Sequence, residues 1–135
     1  MISVLVVDDS VVVRRLITDA LGEDASIEVV GTASNGLLAQ AKIDQLKPDI
    51  ITMDIEMPEM DGVEATAAIR KEMLVPQPYI VALTANAMIG DRERYLAAGM
   101  DDYLSKPIRL EELVACIERA GQAKAGHAPN NFGEE

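Results

Sequence analysis

The chain has 135 residues, of which 49% are hydrophobic and 26% are charged, a balance typical of one soluble globular domain with its own core. Its formal net charge is −11 and its 12 lysines and arginines are scattered, which argues against direct nucleic-acid binding. No apolar run approaches the roughly 20 residues of a membrane span and no basic leader precedes the first strand, so we expect a cytoplasmic protein without membrane contact.

Apolar runs alternate with stretches of helical periodicity along the chain. The runs predict five strands, at residues 2–7, 27–31, 49–54, 79–83 and 103–104. The periodic stretches predict helices that end near residues 22, 47, 70, 98 and 120, with Gly99 as a carboxyl cap. The inward stripe of the first helix comprises Val13, Leu16, Ile17, Ala20 and Leu21, and that of the last comprises Leu110, Leu113, Val114 and Ile117.

Five strand-then-helix units in so short a chain predict an α/β fold with a doubly wound, five-stranded parallel sheet. Each crossover helix returns the chain parallel, so all strands have their carboxyl ends at one edge of the sheet, where such folds place their sites. Residues 1–120 form the predicted domain. Residues 121–135 lose periodicity and are predicted to be a disordered tail or linker.

Polar residues follow four of the predicted strands. Asp8 and Asp9 follow the first strand, Asp54 the third, Thr84 the fourth and Lys106 the fifth. Three adjacent carboxylates repel one another and raise one another's pKa unless a cation joins them. Magnesium, which prefers oxygen ligands and often takes one or two carboxylates, is the predicted cofactor.

The same residues are suited to phosphoryl transfer. The Asp54 carboxylate can attack phosphorus and form an acyl phosphate. Catalysis needs cations and hydrogen-bond donors directed at the phosphoryl oxygens, which Lys106 and Thr84 can supply. Taken singly, each aspartate could be a turn former and Lys106 a surface charge, so the hypothesis depends on their joint placement.

Five motifs in order resemble the receiver domains of bacterial two-component response regulators over about residues 2–120. The motifs are Val6-Val7-Asp8-Asp9-Ser10, Met53-Asp54-Ile55-Glu56-Met57-Pro58, Met60-Asp61-Gly62, Leu83-Thr84-Ala85 and Tyr103-Leu104-Ser105-Lys106-Pro107. The first half is similar to receivers of chemotaxis methylesterases and the second half to receivers of hybrid sensor kinases. This mixture is either natural or the product of recombination.

The resemblance implies a flavodoxin-like (βα)5 fold with strand order 2-1-3-4-5. It implies that Asp54 accepts phosphate from a phosphohistidine on a sensor histidine kinase or a histidine phosphotransfer domain. Asp9 and Asp54 would bind magnesium directly with the backbone carbonyl of Glu56, while Asp8 would act through water. Lys106 would contact the phosphoryl group and precede a cis peptide bond.

The resemblance also implies a switch. Thr84 would move toward the phosphoryl oxygens and Tyr103 would follow, which changes the face made by the fourth helix, fifth strand and fifth helix. Glu56 and Asn86 are candidates for tuning the lifetime of the acyl phosphate. Such a domain catalyses only its own phosphorylation and dephosphorylation, and its output passes to a downstream protein or to a missing effector domain.

Two apolar residues beside the aspartate pair, Val11 and Val12, fall outside the inward stripe of the first helix. We interpret them as a docking patch for the histidine-bearing helical partner rather than as incidental surface residues.

Two other function classes compete with the switch. A magnesium-dependent phosphatase or phosphotransferase of the haloacid dehalogenase type would turn over through an aspartyl phosphate, but it would place its nucleophile after the first strand. Such an enzyme would also carry an acid-base aspartate two residues after its nucleophile, whereas the residue two positions after Asp54 is Glu56. A phosphorylation-independent interaction module would not need to keep the whole mutually repelling cluster.

Overall fold

The computed structural model describes residues 1–57, 60–72, 77–85 and 89–125, in which five strands alternate with five helices. The strands are β1 (Ile2–Val7), β2 (Ile27–Ala33), β3 (Ile50–Asp54), β4 (Tyr79–Thr84) and β5 (Asp102–Ser105). The helices are α1 (Val11–Gly22), α2 (Gly36–Leu46), α3 (Gly62–Lys71), α4 (Ile89–Ala98) and α5 (Leu110–Ala125). All neighbouring strands are parallel and their order is β2-β1-β3-β4-β5, which confirms the predicted fold.

The core lies on both faces of the sheet. Because side chains alternate along a strand, Val4 and Val6 of β1 join one apolar cluster with α1 and α5, while Leu5 and Val7 join a second cluster with α2, α3 and α4. β3 is buried at all five positions, which explains why its sequence is almost continuously apolar. Its last residue, Asp54, is therefore a carboxylate at the end of a strand that is covered on both sides.

Side-chain caps begin three of the helices just beyond the carboxyl ends of the preceding strands. Ser10 and Asn35 each accept a hydrogen bond from the backbone N–H three residues on, at 3.2 and 2.9 Å. Asp61 and Glu64 form a capping box at the start of α3. Such caps contribute about 1 kcal/mol each and fix the turns that follow β1, β2 and β3.

The carboxyl end of α4 is fastened to α3 and to the start of β4. Gly99 has φ +109°, which confirms it as the predicted cap. Its carbonyl accepts hydrogen bonds from Arg70 Nε and Nη2 at 2.8 and 2.6 Å. Arg70 also donates to the carbonyl of Pro78 and pairs with Asp101. These contacts fix where α4 lies against the sheet.

Two residues of the predicted inward stripes are exposed instead. Leu16 is 52% exposed and Leu110 is 38% exposed. The stripe of α1 is centred on Ile17 and Leu21, and Leu16 is turned by one residue, about 100°, away from that centre. Leu110 is the first residue of α5 and precedes the part of the helix that meets the sheet.

The last helix continues beyond the predicted end at residue 120. Its final turns pack against the strands, because Ala120 is fully buried and a Cβ at Gly121 would come within 2.3 Å of Ile2 Cδ1. Lys124 Nζ donates to the carbonyl of Gln77 at 2.7 Å.

The domain range 1–120 stays a prediction, and the rest of the predicted tail, residues 126–135, lies outside the described residues. Within the described ranges no helix is long and apolar enough to cross a membrane.

Candidate functional site

Three aspartates meet at the carboxyl edge of the sheet, where β1 and β3 are adjacent. Asp8, Asp9 and Asp54 each offer a carboxylate oxygen, and these oxygens all lie within 4.8 Å of one another. Asp8 and Asp54 are both 1% exposed, whereas Asp9 is exposed to solvent. The predicted juxtaposition of these carboxylates is thus present, with an open side at Asp9.

The two carboxylate oxygens of Asp8 differ in their hydrogen bonding. Oδ1 accepts a hydrogen bond from the backbone N–H of Ser10 at 2.9 Å. Oδ2 is buried and has no hydrogen-bond partner among the described residues. Burial raises the pKa of Asp8, the Ser10 hydrogen bond opposes the rise, and the neighbouring Asp9 adds to it. A buried carboxylate oxygen without a partner is costly unless a cation or water reaches it.

The Asp54 carboxylate accepts hydrogen bonds from the ammonium group of a lysine and from a backbone N–H. Its Oδ1 accepts from Lys106 Nζ at 2.8 Å and from the backbone N–H of Glu56 at 3.2 Å. Burial raises the pKa of Asp54 to about 6; the Lys106 hydrogen bond opposes the rise, and the charge of Asp8 adds to it. Burial lowers the pKa of Lys106, but Asp54 and Glu56 outweigh that effect, so its net direction is upward.

Gly62, the first residue of α3, lies closely against the end of β3. A Cβ at Gly62 would lie 2.5 Å from the carbonyl oxygen of Asp54 and 2.9 Å from Cα of Ile55, closer than real Cβ atoms come to backbone. The Gly62 N–H donates to the Ile55 carbonyl at 3.1 Å. Glycine at this position therefore allows α3 to begin directly against the end of β3.

The Glu56 side chain gathers the donors that surround Asp54, an arrangement that the sequence did not predict. Its Oε2 accepts from the Thr84 hydroxyl at 3.0 Å. Its Oε1 lies 3.2 Å from the backbone N of Ala85 and 3.3 Å from Lys106 Nζ. One carboxylate thus accepts from a hydroxyl, a backbone amide and an ammonium group.

The predicted switch residues are Thr84 and Tyr103, and Thr84 contacts a second tyrosine, Tyr95. Tyr103 is partly buried, with the Arg92 guanidinium 5.3 Å from its ring centroid. Tyr95 on α4 is 1% exposed, and its hydroxyl lies 2.7 Å from Thr84 Oγ1. Sequence reasoning missed Tyr95, although an aromatic residue on the inward face of the helix after Thr84 was a usable signal.

Two further predictions concern the rim of the site. The peptide bond between Lys106 and Pro107 is cis, as predicted. Asn86, the second candidate for tuning the acyl phosphate, lies outside the described residues.

The acidic cluster fits a small, hard cation. All of its side-chain donors are carboxylate oxygens, which suit Mg2+ in preference to softer metals. The unpartnered Oδ2 of Asp8 and the mutual repulsion of three carboxylates are both relieved by a divalent ion. The residues present therefore fit the predicted magnesium.

Comparisons with known proteins agree on one family. The family model of the response regulator receiver domain matches residues 4–118. A protein-glutamate methylesterase/protein-glutamine glutaminase of Nocardioides sp. is 47% identical over 123 residues, which cover 90% of this chain and 33% of that protein. Its counterpart in Halobacterium salinarum is 44% identical, covering 94% and 39%. The chain thus spans between about a third and two fifths of the length of these relatives.

Solved structures give the same result. The response regulator domain of Thermotoga maritima CheB superposes with a TM-score of 0.80 at 35% identity, covering 89% of this chain and 96% of that one. The Vibrio cholerae chemotaxis protein CheY4 gives 0.80 at 30% identity, covering 89% and 98%. This chain belongs to the family of response regulator receiver domains, the signalling switches of two-component systems.

Proposed function

We propose that the chain is a phosphoryl-accepting switch in which Asp54 is the phosphorylated residue. The observation that carries this proposal is the position of the Asp54 carboxylate, which is buried at the end of β3 between two further aspartates and the ammonium group of Lys106. A nucleophile, an acidic cation site and a fixed positive charge meet there, as phosphoryl transfer requires.

Oδ2 of Asp54 is the proposed attacking atom. Both hydrogen bonds described for this carboxylate end on Oδ1, from Lys106 and from the Glu56 backbone. Oδ2 forms a bond to phosphorus while the bond between phosphorus and the imidazole nitrogen of the donor breaks. The imidazole retains the electron pair and takes up a proton from solvent, so the step balances.

Asp9, Asp54 and the Glu56 carbonyl are the proposed direct ligands of Mg2+, and Asp8 acts through water. When bound, the ion neutralises charge on the transferring phosphoryl group. Thr84 and Lys106 supply the other positive and hydrogen-bonding groups. Glu56 and Asn86 are proposed to set how long the acyl phosphate lasts.

The Glu56 contacts support its tuning role. A phosphoryl group on Asp54 needs the same donors that Glu56 now occupies, namely the Thr84 hydroxyl and the Lys106 ammonium. The negatively charged Glu56 carboxylate and the phosphoryl oxygens therefore compete for them. Displacement of Glu56 is part of the proposed switching event.

Val11 and Val12 are proposed to dock the histidine-bearing partner. Their side chains are 69% and 67% exposed on the first turn of α1, directly after the acidic pair of β1. If replacement of both by lysine left transfer from the partner unchanged, this docking role would be wrong.

The names of the relatives suggest a methylesterase domain as the output, reached through the face of α4, β5 and α5.

The deciding experiment is phosphorylation by acetyl phosphate with Mg2+, followed by intact-protein mass spectrometry. We expect one phosphoryl group per wild-type chain and none on Asp54→Asn. Asp44→Asn, a change at an exposed position on α2, is the matched control and should be labelled like the wild type. Equal labelling of Asp54→Asn would falsify the assignment, and sustained catalytic consumption of acetyl phosphate would favour a turnover enzyme instead.

A further inference from the structure

Tyr95 connects α4 to the phosphorylation site through a buried hydrogen bond. Its ring belongs to the apolar cluster between the sheet and α2, α3 and α4, and its side chain is almost completely enclosed. Its hydroxyl lies 2.7 Å from Thr84 Oγ1, at the carboxyl end of β4. A phenol buried in this way usually has a hydrogen-bond partner, and here one partner is a residue of the site itself.

The direction of this hydrogen bond follows from the contacts of Thr84. The Thr84 hydroxyl has one proton, which it donates to Glu56 Oε2 at 3.0 Å. An ionised carboxylate only accepts, so it cannot supply the proton for that contact. The Tyr95 hydroxyl is therefore the donor to Thr84 Oγ1, and the three groups form a chain from α4 to Glu56.

We propose that Tyr95 is a positioning residue that holds Thr84 in its resting place and links α4 to the phosphorylation of Asp54. This inference rests on the proposed function. Thr84 can donate to a phosphoryl oxygen only by giving up Glu56, because one proton serves one acceptor at a time. Movement of Oγ1 toward the phosphoryl group also lengthens its contact with Tyr95, so α4 loses a tie to the sheet.

The other contacts of α4 explain how loss of the hydrogen bond between Tyr95 and Thr84 changes the exposed part of the helix. Its carboxyl end is fixed through Gly99 and Arg70, whereas Tyr95 ties its middle to the site. Arg92, one turn earlier, stacks on Tyr103 of β5. Release of Tyr95 therefore loosens the helix close to both switch residues, while its far end stays anchored.

Titration of the magnesium-loaded protein with beryllofluoride, followed by 19F NMR, tests the proposal. Beryllofluoride stands in for the phosphoryl group on Asp54. Tyr95→Phe keeps the ring and removes only the donor, so the resting state loses one net hydrogen bond and the analogue should bind about fivefold more tightly. Tyr79→Phe, which removes a phenol at the opposite end of β4, is the matched control and should bind like the wild type.

A double-mutant cycle separates positioning from general packing. In a Thr84→Ala background, Tyr95→Phe should change the affinity by less than about 1.5-fold, because Tyr95 acts through the missing hydroxyl. Unchanged or weaker binding by Tyr95→Phe, or an equal gain in the Thr84→Ala background, overturns the proposal while the proposed function stands. A wild type that binds no beryllofluoride overturns both.

Discussion

Lys106 Nζ lies 2.8 Å from Asp54 Oδ1, and this ion pair joins the end of β5 to the end of β3 across the intervening β4. The lysine is 31% exposed and the aspartate 1% exposed, so the pair is shielded on one side only. A cation in this position neutralises the nucleophile at rest and can follow the charge to the phosphoryl oxygens when it moves.

Replacement of Lys106 by methionine tests this role. Methionine keeps most of the aliphatic stem and removes the charge, so phosphorylation by acetyl phosphate should slow by about 100-fold, the usual effect of losing one preorganised donor to developing negative charge. The rate of mass increase measures it. Lys71→Met, a change at an exposed position near the end of α3, should react at the wild-type rate. A similar rate for both variants would show that Lys106 is only a structural partner of Asp54.

The raised pKa of Asp54 predicts a pH-dependent stability in metal-free protein. Between its ordinary value of 3.8 and about 6, the folded state binds more protons at Asp54 than the unfolded chain does. Stability from this group is therefore fully present below pH 3.8 and is lost as the pH rises through about 6. Asp54→Asn keeps an oxygen for Lys106 but cannot ionise, so it does not lose this stability.

Urea unfolding in EDTA measures this difference. At pH 7.5 Asp54→Asn should be more stable than the wild type by on the order of 2 kcal/mol, and near pH 4 the two proteins should converge. An offset that stays constant between pH 4 and 7.5 would mean that ionisation of Asp54 does not cause it.

Magnesium should restore part of the stability that the metal-free protein loses when Asp54 ionises. A ligand that binds only the folded protein stabilises it by about 1.4 kcal/mol when its free concentration is ten times Kd. The thermal midpoint of the wild type should therefore rise with added MgCl2. Asp9→Asn should lose most of the rise, since Asp9 is an exposed member of the carboxylate cluster and its replacement leaves the core intact.

Asp44→Asn controls for general screening of the acidic surface by salt. It should respond to MgCl2 as the wild type does, and KCl of equal ionic strength should produce no comparable rise. An Asp9→Asn variant with the full magnesium response would remove Asp9 from the ligand set.

The sequence was most informative where local pattern and strand order determine the outcome. Nearly continuous apolar runs, one followed by Asp8 and the other ending in Asp54, indicate a parallel sheet, and a parallel sheet places those ends together. Side-chain contacts between segments that are distant in the sequence cannot be predicted from local pattern and strand order. The hydrogen bond between Tyr95 and Thr84 depends on how α4 lies on the sheet, which Arg70 and Gly99 determine from the other edge.

Helix faces were predicted less well than strands. A periodic stripe shows which residues are apolar but not how wide the covered arc is, so the stripe predicts that Leu16 is buried although half of its side chain is exposed. Likewise the loss of periodicity after residue 120 predicts a helix end there, whereas the absence of a side chain at Gly121 lets α5 pass directly against Ile2. In both cases the neighbouring element, which the local sequence does not encode, decided the outcome.

Glu56→Ala provides the sharpest test of competition within the site. The Glu56 carboxylate now accepts from Thr84, Ala85 and Lys106, and a phosphoryl group on Asp54 would need these donors. Removal of the competitor should let the donors hold the phosphoryl group more firmly. We expect hydrolysis of the acyl phosphate to slow by about threefold or more, within the range that one or two net hydrogen bonds produce.

The measurement is the decay of phosphorylated protein after acetyl phosphate is removed, followed by mass spectrometry in excess Mg2+. Glu64→Ala would disturb the capping box of α3, so Glu93→Ala, at an exposed position on α4, is the better control. A Glu56→Gln variant separates charge from contact, since the amide keeps an acceptor oxygen without the negative charge. Decay at the wild-type rate in both Glu56 variants would show that Glu56 does not compete with the phosphoryl group, because the competition requires its charged carboxylate.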